Sequence, residues 1–374
     1  ALMLLVLLFK TPRVFVCGPQ GLKRNHTRSD AFRIFRQGLS YFLKRLQAKG
    51  YNLVRLDAAR PLDRLKLTRP YPRTDQVPPP KLALIEPTNS CNLNCPVCET
   101  GNKSLQRKKA NMTIEQFRVI IDKLPSRVEE LCLHINGESF LNRDIYQMIQ
   151  YAVGRGFKTS LDTNGLLINP EQVVRSGLDH ITICLDGDDQ QSYEKYRIGG
   201  DYNRLVENIR GLVSAKKKTG AKKPWITLKV IAMKHTEGLV AKIGQVACQM
   251  GADDSQIAKF TARTWDQVLN FQSEQSEFSR YIPADLKRGR LTTRYVPNIR
   301  ECQVPYNAVS ITACGDVDPC CRDMNGKYTF GNLLETDFDA IWNGRAAVAF
   351  RRKLIEGKPD ICQDCHLAVN PTIF

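Results

Sequence analysis

The chain has 374 residues, 42% of them hydrophobic and 25% charged, the composition of a globular protein with room for one large core and a satellite domain. Lysine and arginine exceed aspartate and glutamate by 17 (55 against 38), which points to an anionic partner or to a solvated basic surface. Thirteen cysteines gathered in C-x-x-C-like groups exclude a disulfide framework and read as metal ligands in a reducing, cytoplasmic setting.

The opening run Ala1–Phe9 is apolar but too short to span a bilayer, and it lacks the charged flank and Ala-x-Ala site of a signal peptide. A buried strand is expected there, and no transmembrane segment. Arg13–Cys17 reads as a strand and Gly18–Gly21 as a turn. Ser29 then caps a helix with Phe32, Phe35, Leu39, Phe42, Leu43 and Leu46 on one face, and Tyr51–Leu56 reads as a second strand. Residues 1–80 are therefore expected to be a small β-α-β extension ending in the linker Pro70–Pro80, too rich in proline for a helix or central strand.

From 82 to about 260 strand-like and helix-like runs alternate, the pattern of a parallel α/β sheet. Strands centre on 82–87, 131–136, 158–162, 181–185, 226–232 and 255–260, with helices at about 113–123, 142–154, 170–176, 203–217 and 238–250. Directly after the first strand, a short polar loop carries Cys91, Cys95 and Cys98 at spacing C-x3-C-x2-C. Three thiolates from one loop suit an iron–sulfur cube with one iron left open. A zinc knuckle is the alternative, but residues 99–131 offer no fourth cysteine or histidine. Later strand ends carry His134-Ile135-Asn136-Gly137-Glu138-Ser139, Asp162-Thr163-Asn164-Gly165 and Cys184-Leu185-Asp186-Gly187, then Tyr196-Arg197 before Gly199-Gly200. Beyond 300 come Cys302, Gly315, Cys320, Cys321 and the pair Cys362-Gln363-Asp364-Cys365, which also fits a four-cysteine zinc ribbon.

These motifs, in this order, resemble the radical S-adenosylmethionine (SAM) enzyme superfamily with a C-terminal twitch/SPASM-type auxiliary domain. The resemblance implies an α/β fold: a partial (β/α)6 TIM-type barrel at 81–262, a connecting segment at 263–300 and a twitch/SPASM-like domain at 301–374. It implies that Cys91, Cys95 and Cys98 hold a 4Fe–4S cluster whose open iron chelates SAM, and that SAM cleavage gives a 5'-deoxyadenosyl radical that abstracts hydrogen from a substrate. Gly137, Glu138, Asn164, Asp186 and Arg197 inherit SAM-binding roles. Val97 stands where the family has an aromatic residue against the adenine, so that contact is expected to be weaker or supplied elsewhere. Cys302, Cys320, Cys362 and Cys365 would complete the auxiliary 4Fe–4S cluster, leaving no open iron, which suits electron transfer.

Such an enzyme also needs an external electron donor such as flavodoxin or ferredoxin. Dehydrogenation or epimerisation of a small polar or anionic metabolite, such as a sugar, cyclitol or nucleotide-linked sugar, is expected, since residues 1–80 do not read as a winged-helix peptide-recognition domain. Modification of a ribosomally made peptide is the alternative. For epimerisation, the candidate hydrogen donors are Cys184, Cys248, Cys314 and Cys321. An iron–sulfur or zinc scaffold, or an RNA-binding protein, would leave Glu138, Asn164 and Asp186 at successive strand ends without a purpose. With no aromatic-rich RNA motif or Gly-Lys phosphate loop, no nucleic-acid partner is expected.

Overall fold

The computed structural model describes residues 53–54, 66–67, 73–262, 264–275, 300, 302–357, 359–362 and 365. The chain divides into two compact units, Ala1–Pro72 and Arg73–Phe374. The described residues of the first form a short antiparallel ribbon, Leu53–Val54 against Lys66–Leu67. The first of these pieces falls within the expected strand Tyr51–Leu56. The expected strands at Ala1–Phe9 and Arg13–Cys17 and the helix after Ser29 lie outside the described residues.

The second unit is built on β1 (Leu82–Ile85), β2 (Glu130–Cys132), β3 (Lys158–Thr163), β4 (His180–Cys184), β5 (Trp225–Ala232) and β6 (Asp254–Lys259). They lie side by side in chain order, each parallel to the next. Parallel neighbours need long crossovers. These are supplied by α1 (Ile114–Lys123), α2 (Ile145–Gly154), α3 (Pro170–Ser176), α4 (Gln190–Glu194) with α5 (Tyr202–Thr219), and α6 (Glu237–Met250). The open six-strand order is that of the expected partial barrel.

Local chemistry sets the helix ends. Thr113 and Gln116 form a reciprocal capping box at the start of α1. Asn169 caps α3 with Pro170 in its first turn, and Gly177 closes it in the left-handed conformation. Strand alternation separates two faces. Ile181, Ile183, Ile226, Leu228 and Val230 are fully buried; Ile183 meets the helical layer, where it and Leu205 of α5 both close on Gly165. The opposite face carries Ser160, Asp162, Thr182, Cys184, Thr227 and Lys229.

The C-terminal segment extends this sheet. A strand at Ala308–Ile311 (β7) pairs parallel with β1 in the register Leu82↔Ala308 to Ile85↔Ile311. Asp316–Asp318 (β8) and Gly331–Asn332 (β9) follow as antiparallel neighbours, giving nine strands in one sheet among the described residues. Two helices, Phe338–Trp342 and Arg345–Ile355, pack behind it. An expected linker residue, Val77, is buried here: the Trp342 indole donates to the carbonyls of Val77 and Pro78, both at 3.1 Å, and the Val77 amide donates to Asn343 Oδ1 at 3.0 Å. The Arg351 guanidinium lies buried 4.4 Å from the Trp342 ring and donates to the Trp342 and Pro305 carbonyls. Within the expected connecting segment, Trp265–Phe271 forms a further helix.

Candidate functional site

Cys91, Cys95 and Cys98 share the loop that leaves the C-terminal end of β1. Asn89 fastens this loop with its side chain, donating to the Lys108 carbonyl and accepting from the Ala110 amide, each at 2.9 Å. At Gly101 a Cβ would stand 2.6 Å from both the amide nitrogen and the carbonyl oxygen of Cys95, so the chain closes on the central cysteine only because no side chain intervenes. The Leu93 amide donates to Cys91 Sγ at 3.4 Å, and Arg197 Nη1 to Cys95 Sγ at 3.7 Å. Burial pushes the Cys91 thiol up to about 11 and the Cys95 thiol in the same direction. Unliganded they are neutral thiols, and a bound metal would deprotonate them.

The other expected SAM-site residues converge on this loop. Gly137 holds φ +78°, and a Cβ there would stand 2.4 Å from the Thr88 carbonyl oxygen and 2.7 Å from that of Ser90. The turn after β2 is thereby pressed onto the cysteine loop, and the Glu138 amide donates to the Ser90 carbonyl at 2.8 Å. The buried Glu138 carboxylate accepts from the Asn164 amide and the Thr163 hydroxyl, both at 2.8 Å, and from the Phe140 amide. Burial raises its pKa and those three donors oppose the rise. Asn164 in turn donates to Asn92 Oδ1 at 2.9 Å, beside Cys91. At the end of β4, buried Asp186 accepts from the Ile231 amide and from Arg197 Nε, both at 2.7 Å. Burial disfavours the Arg197 charge, but Asp186 and the cysteines around it hold its pKa well above the ordinary value. Val97 is buried against the core.

Glu86, which carries no motif, proves central. It sits fully buried just past β1 and takes a bidentate pair from Arg107 at 2.7 and 2.8 Å, with Asn136 Nδ2 at 3.2 Å and the Ala313 amide at 3.1 Å. One carboxylate thus ties the cysteine loop, the turn after β2 and the segment after β7. The only sequence signal was an acidic residue ending an apolar strand.

The candidate hydrogen donors separate. Cys184 is buried at the end of β4, facing Lys229, Arg197 and Asp186. Cys314 is exposed in the β7–β8 turn near Asp316, Arg107 and Glu86. Cys321 lies among Cys302, Cys320 and Cys365. Cys248 stands exposed on α6, in the helical layer. A thiol that sequence reasoning passed over, Cys132 of β2, faces both Asp162 and Cys321, and burial pushes it up to about 12.

Cys302, Cys320, Cys362 and Cys365 converge as a second set under Leu84, Val304 and Ala308, with burial pushing Cys302 up to about 11 and Cys362 to about 12. Among the described residues, no three cysteine, histidine or carboxylate side chains are drawn together around a single-ion position. As donor sets, both suit iron–sulfur clusters: thiols alone, three from one loop with amide and guanidinium donors aimed at their sulfurs, and four from the C-terminal segment.

A parallel barrel with a thiol loop at the C-terminal end of its first strand, backed by a second set of thiols, defines an iron–sulfur protein that does its chemistry at the strand ends. Residues 85–223 match the model of the Radical SAM superfamily, and residues 302–366 match the iron–sulfur cluster-binding domain SPASM. The chain carries a radical SAM domain and a SPASM-type C-terminal domain. Its cofactors are SAM and two 4Fe–4S clusters.

The chain is 30% identical over 146 residues to the AdoMet-dependent heme synthase of Nitratidesulfovibrio vulgaris, a match covering 38% of this chain and 39% of that protein. It is 24% identical over 311 residues to the PqqA peptide cyclase of Xanthomonas campestris pv. campestris, covering 77% of this chain and 80% of that one. Among solved structures it shares its fold with Streptococcus suis SuiB bound to S-adenosylmethionine, at TM-score 0.57 and 17% identity, covering 92% of this chain and 86% of SuiB. Among the described residues, no helix is long and apolar enough to cross a membrane.

Proposed function

We propose that this protein is a radical SAM maturase that oxidatively modifies a ribosomally made peptide. The observation that carries this reading is the similarity to PqqA peptide cyclase, which spans more than three quarters of both chains, whereas the heme synthase match spans less than two fifths of either. It displaces the small-metabolite reading that the sequence alone favours. In this reading Cys91, Cys95 and Cys98 hold the SAM-binding cluster, and Val97, Gly137, Glu138, Asn164, Asp186 and Arg197 shape the SAM cradle. Cys302, Cys320, Cys362 and Cys365 hold the auxiliary cluster.

When bound, SAM and its cluster supply the 5'-deoxyadenosyl radical that removes a hydrogen atom from the substrate. The polypeptide's task is to place that hydrogen at the barrel mouth, exclude water, and accept what the substrate radical must still lose. Oxidation requires the loss of a proton and an electron. His134, its pKa lowered by burial, lies in the barrel interior as a neutral imidazole able to accept the proton, and the C-terminal thiols would hold the electron acceptor. Cys132 faces both Asp162 and Cys321, which lies among the C-terminal thiols. A flavodoxin- or ferredoxin-type donor would reduce the first cluster.

Epimerisation or dehydrogenation of a small anionic metabolite is the second reading, favoured by Cys184 facing the barrel interior. The test is anaerobic reconstitution with iron and sulfide, reduction with SAM, and incubation with a library of short peptides followed by mass spectrometry. Peptides lacking two hydrogens, formed together with 5'-deoxyadenosine, support the maturase reading. Formation of 5'-deoxyadenosine with every peptide unchanged would end it.

A further inference from the structure

The inner face of the sheet carries a site that the cofactor assignments do not use. Interior positions of a barrel kept only for stability are filled by branched apolar side chains. Here, at matching heights on neighbouring strands, the register sets Asp162 beside Thr182 and Cys184 beside Lys229. Lys229 Nζ pairs with Asp162 Oδ2 across β4, and Thr182 also donates to Asp162. His134 faces the same carboxylate from the end of β2. A buried ion pair contributes little net stability, so packing gives no reason for one in this wall. Both partners also keep accessible surface inside the barrel, 19% of the Lys229 side chain and 34% of that of Asp162. Space therefore remains in front of the pair, and the same wall continues through Cys184 to Arg197 and Cys95.

The unused capacity is donor capacity. An ammonium has three N–H bonds, and among the described residues Lys229 Nζ meets one acceptor, Asp162. Asp162 already receives Lys229 and Thr182, while Asp186 is taken by Arg197 and the Ile231 amide. What this wall lacks is an acceptor oxygen. We propose that Lys229, held by Asp162, receives a carboxylate of the substrate and so fixes the reacting carbon beneath the SAM cradle. This rests on the maturase reading for its source: the carboxylate is an acidic side chain of the peptide beside the residue that is modified.

The test uses the reconstituted, SAM-loaded holoenzyme and isothermal calorimetry with three probes: glutarate, the capped peptide Gly-Glu-Gly, and its neutral counterpart Gly-Gln-Gly. Saturable binding of glutarate and Gly-Glu-Gly is expected, with Gly-Gln-Gly weaker by about tenfold or more, the usual worth of a hydrogen bond to a charged group. Lys229→Gln should weaken both acidic probes by a similar factor, Lys229→Arg should keep most of the affinity, and Asp162→Asn should weaken it by less. Iron content matching the wild type confirms that each variant is folded.

Equal binding of acidic and neutral probes, equal binding by Lys229→Gln, or no saturable binding of glutarate overturns the site. Lys229-dependent binding of glutarate without binding of Gly-Glu-Gly keeps the carboxylate site and ends the peptide reading, so the two failures are distinct.

Discussion

Replacing Glu86 by alanine tests whether one buried carboxylate joins the cysteine loop to the C-terminal segment. Glu86 is fully buried and Arg107 keeps 13% of its side-chain surface, so their two charge-assisted bonds are little screened by solvent. Burial opposes the Arg107 charge, and Glu86 restores it. Removing the carboxylate strands the guanidinium together with Asn136 Nδ2 and the Ala313 amide. Breaking a buried pair from one side costs about 3–5 kcal/mol. Unfolding entropy of about 2.1 cal/mol/K per residue, over a unit of roughly 300 residues, gives about 0.6 kcal/mol/K, so the midpoint should fall by about 5–8 °C. The assay is differential scanning calorimetry of Glu86→Ala, Arg107→Met and the double variant. The double variant should recover part of the loss, because it no longer buries a lone charge. A fall below about 2 °C, or losses that simply add, would refute the reasoning.

Three further outcomes are expected. Gly137→Ala forces a side chain against the Thr88 and Ser90 carbonyls; iron in the reconstituted protein should fall from about eight toward about four per chain, two cubes toward one, and 5'-deoxyadenosine formation should drop by at least tenfold. Changing Cys91, Cys95 and Cys98 together to alanine should abolish SAM cleavage while the auxiliary cluster keeps its paramagnetic resonance signal; retained cleavage would overturn the ligand assignment. Burial, resisted by Asp162, lowers the pKa of His134, so below about pH 6.5 the unfolded chain binds a proton that the folded chain does not. Stability should therefore decrease as pH falls through that value, and His134→Gln should flatten the acid limb of a urea-midpoint profile against pH.

The parts legible in the sequence are those whose signal is local. Alternating β-branched and apolar residues mark β4 and β5, and Thr113, Asn169 and Gly177 mark helix ends, because each acts within a few residues of itself. Cys91, Cys95 and Cys98 announce their loop for the same reason. What stayed hidden depends on strand order. Glu86 meets Arg107 across 21 positions and Ala313 across 227, and nothing near Glu86 distinguishes it from a solvated carboxylate. The pairing of β7 with β1 needs an open edge that exists only once the barrel has formed. Asp162 and Lys229, 67 positions apart, read as ordinary polar strand residues until the register shows that both face inward. The motif residues are held by partners distant in sequence: Asn164 by Asn92, Glu138 by Thr163, Asp186 by the Ile231 amide. A family signature therefore shows where the cofactors go, while the polar wall that would choose a substrate has to be read from this chain's own strands. Lys229→Gln and Gly137→Ala should accordingly fail in different ways, the first in discrimination between acidic and neutral probes and the second in iron content.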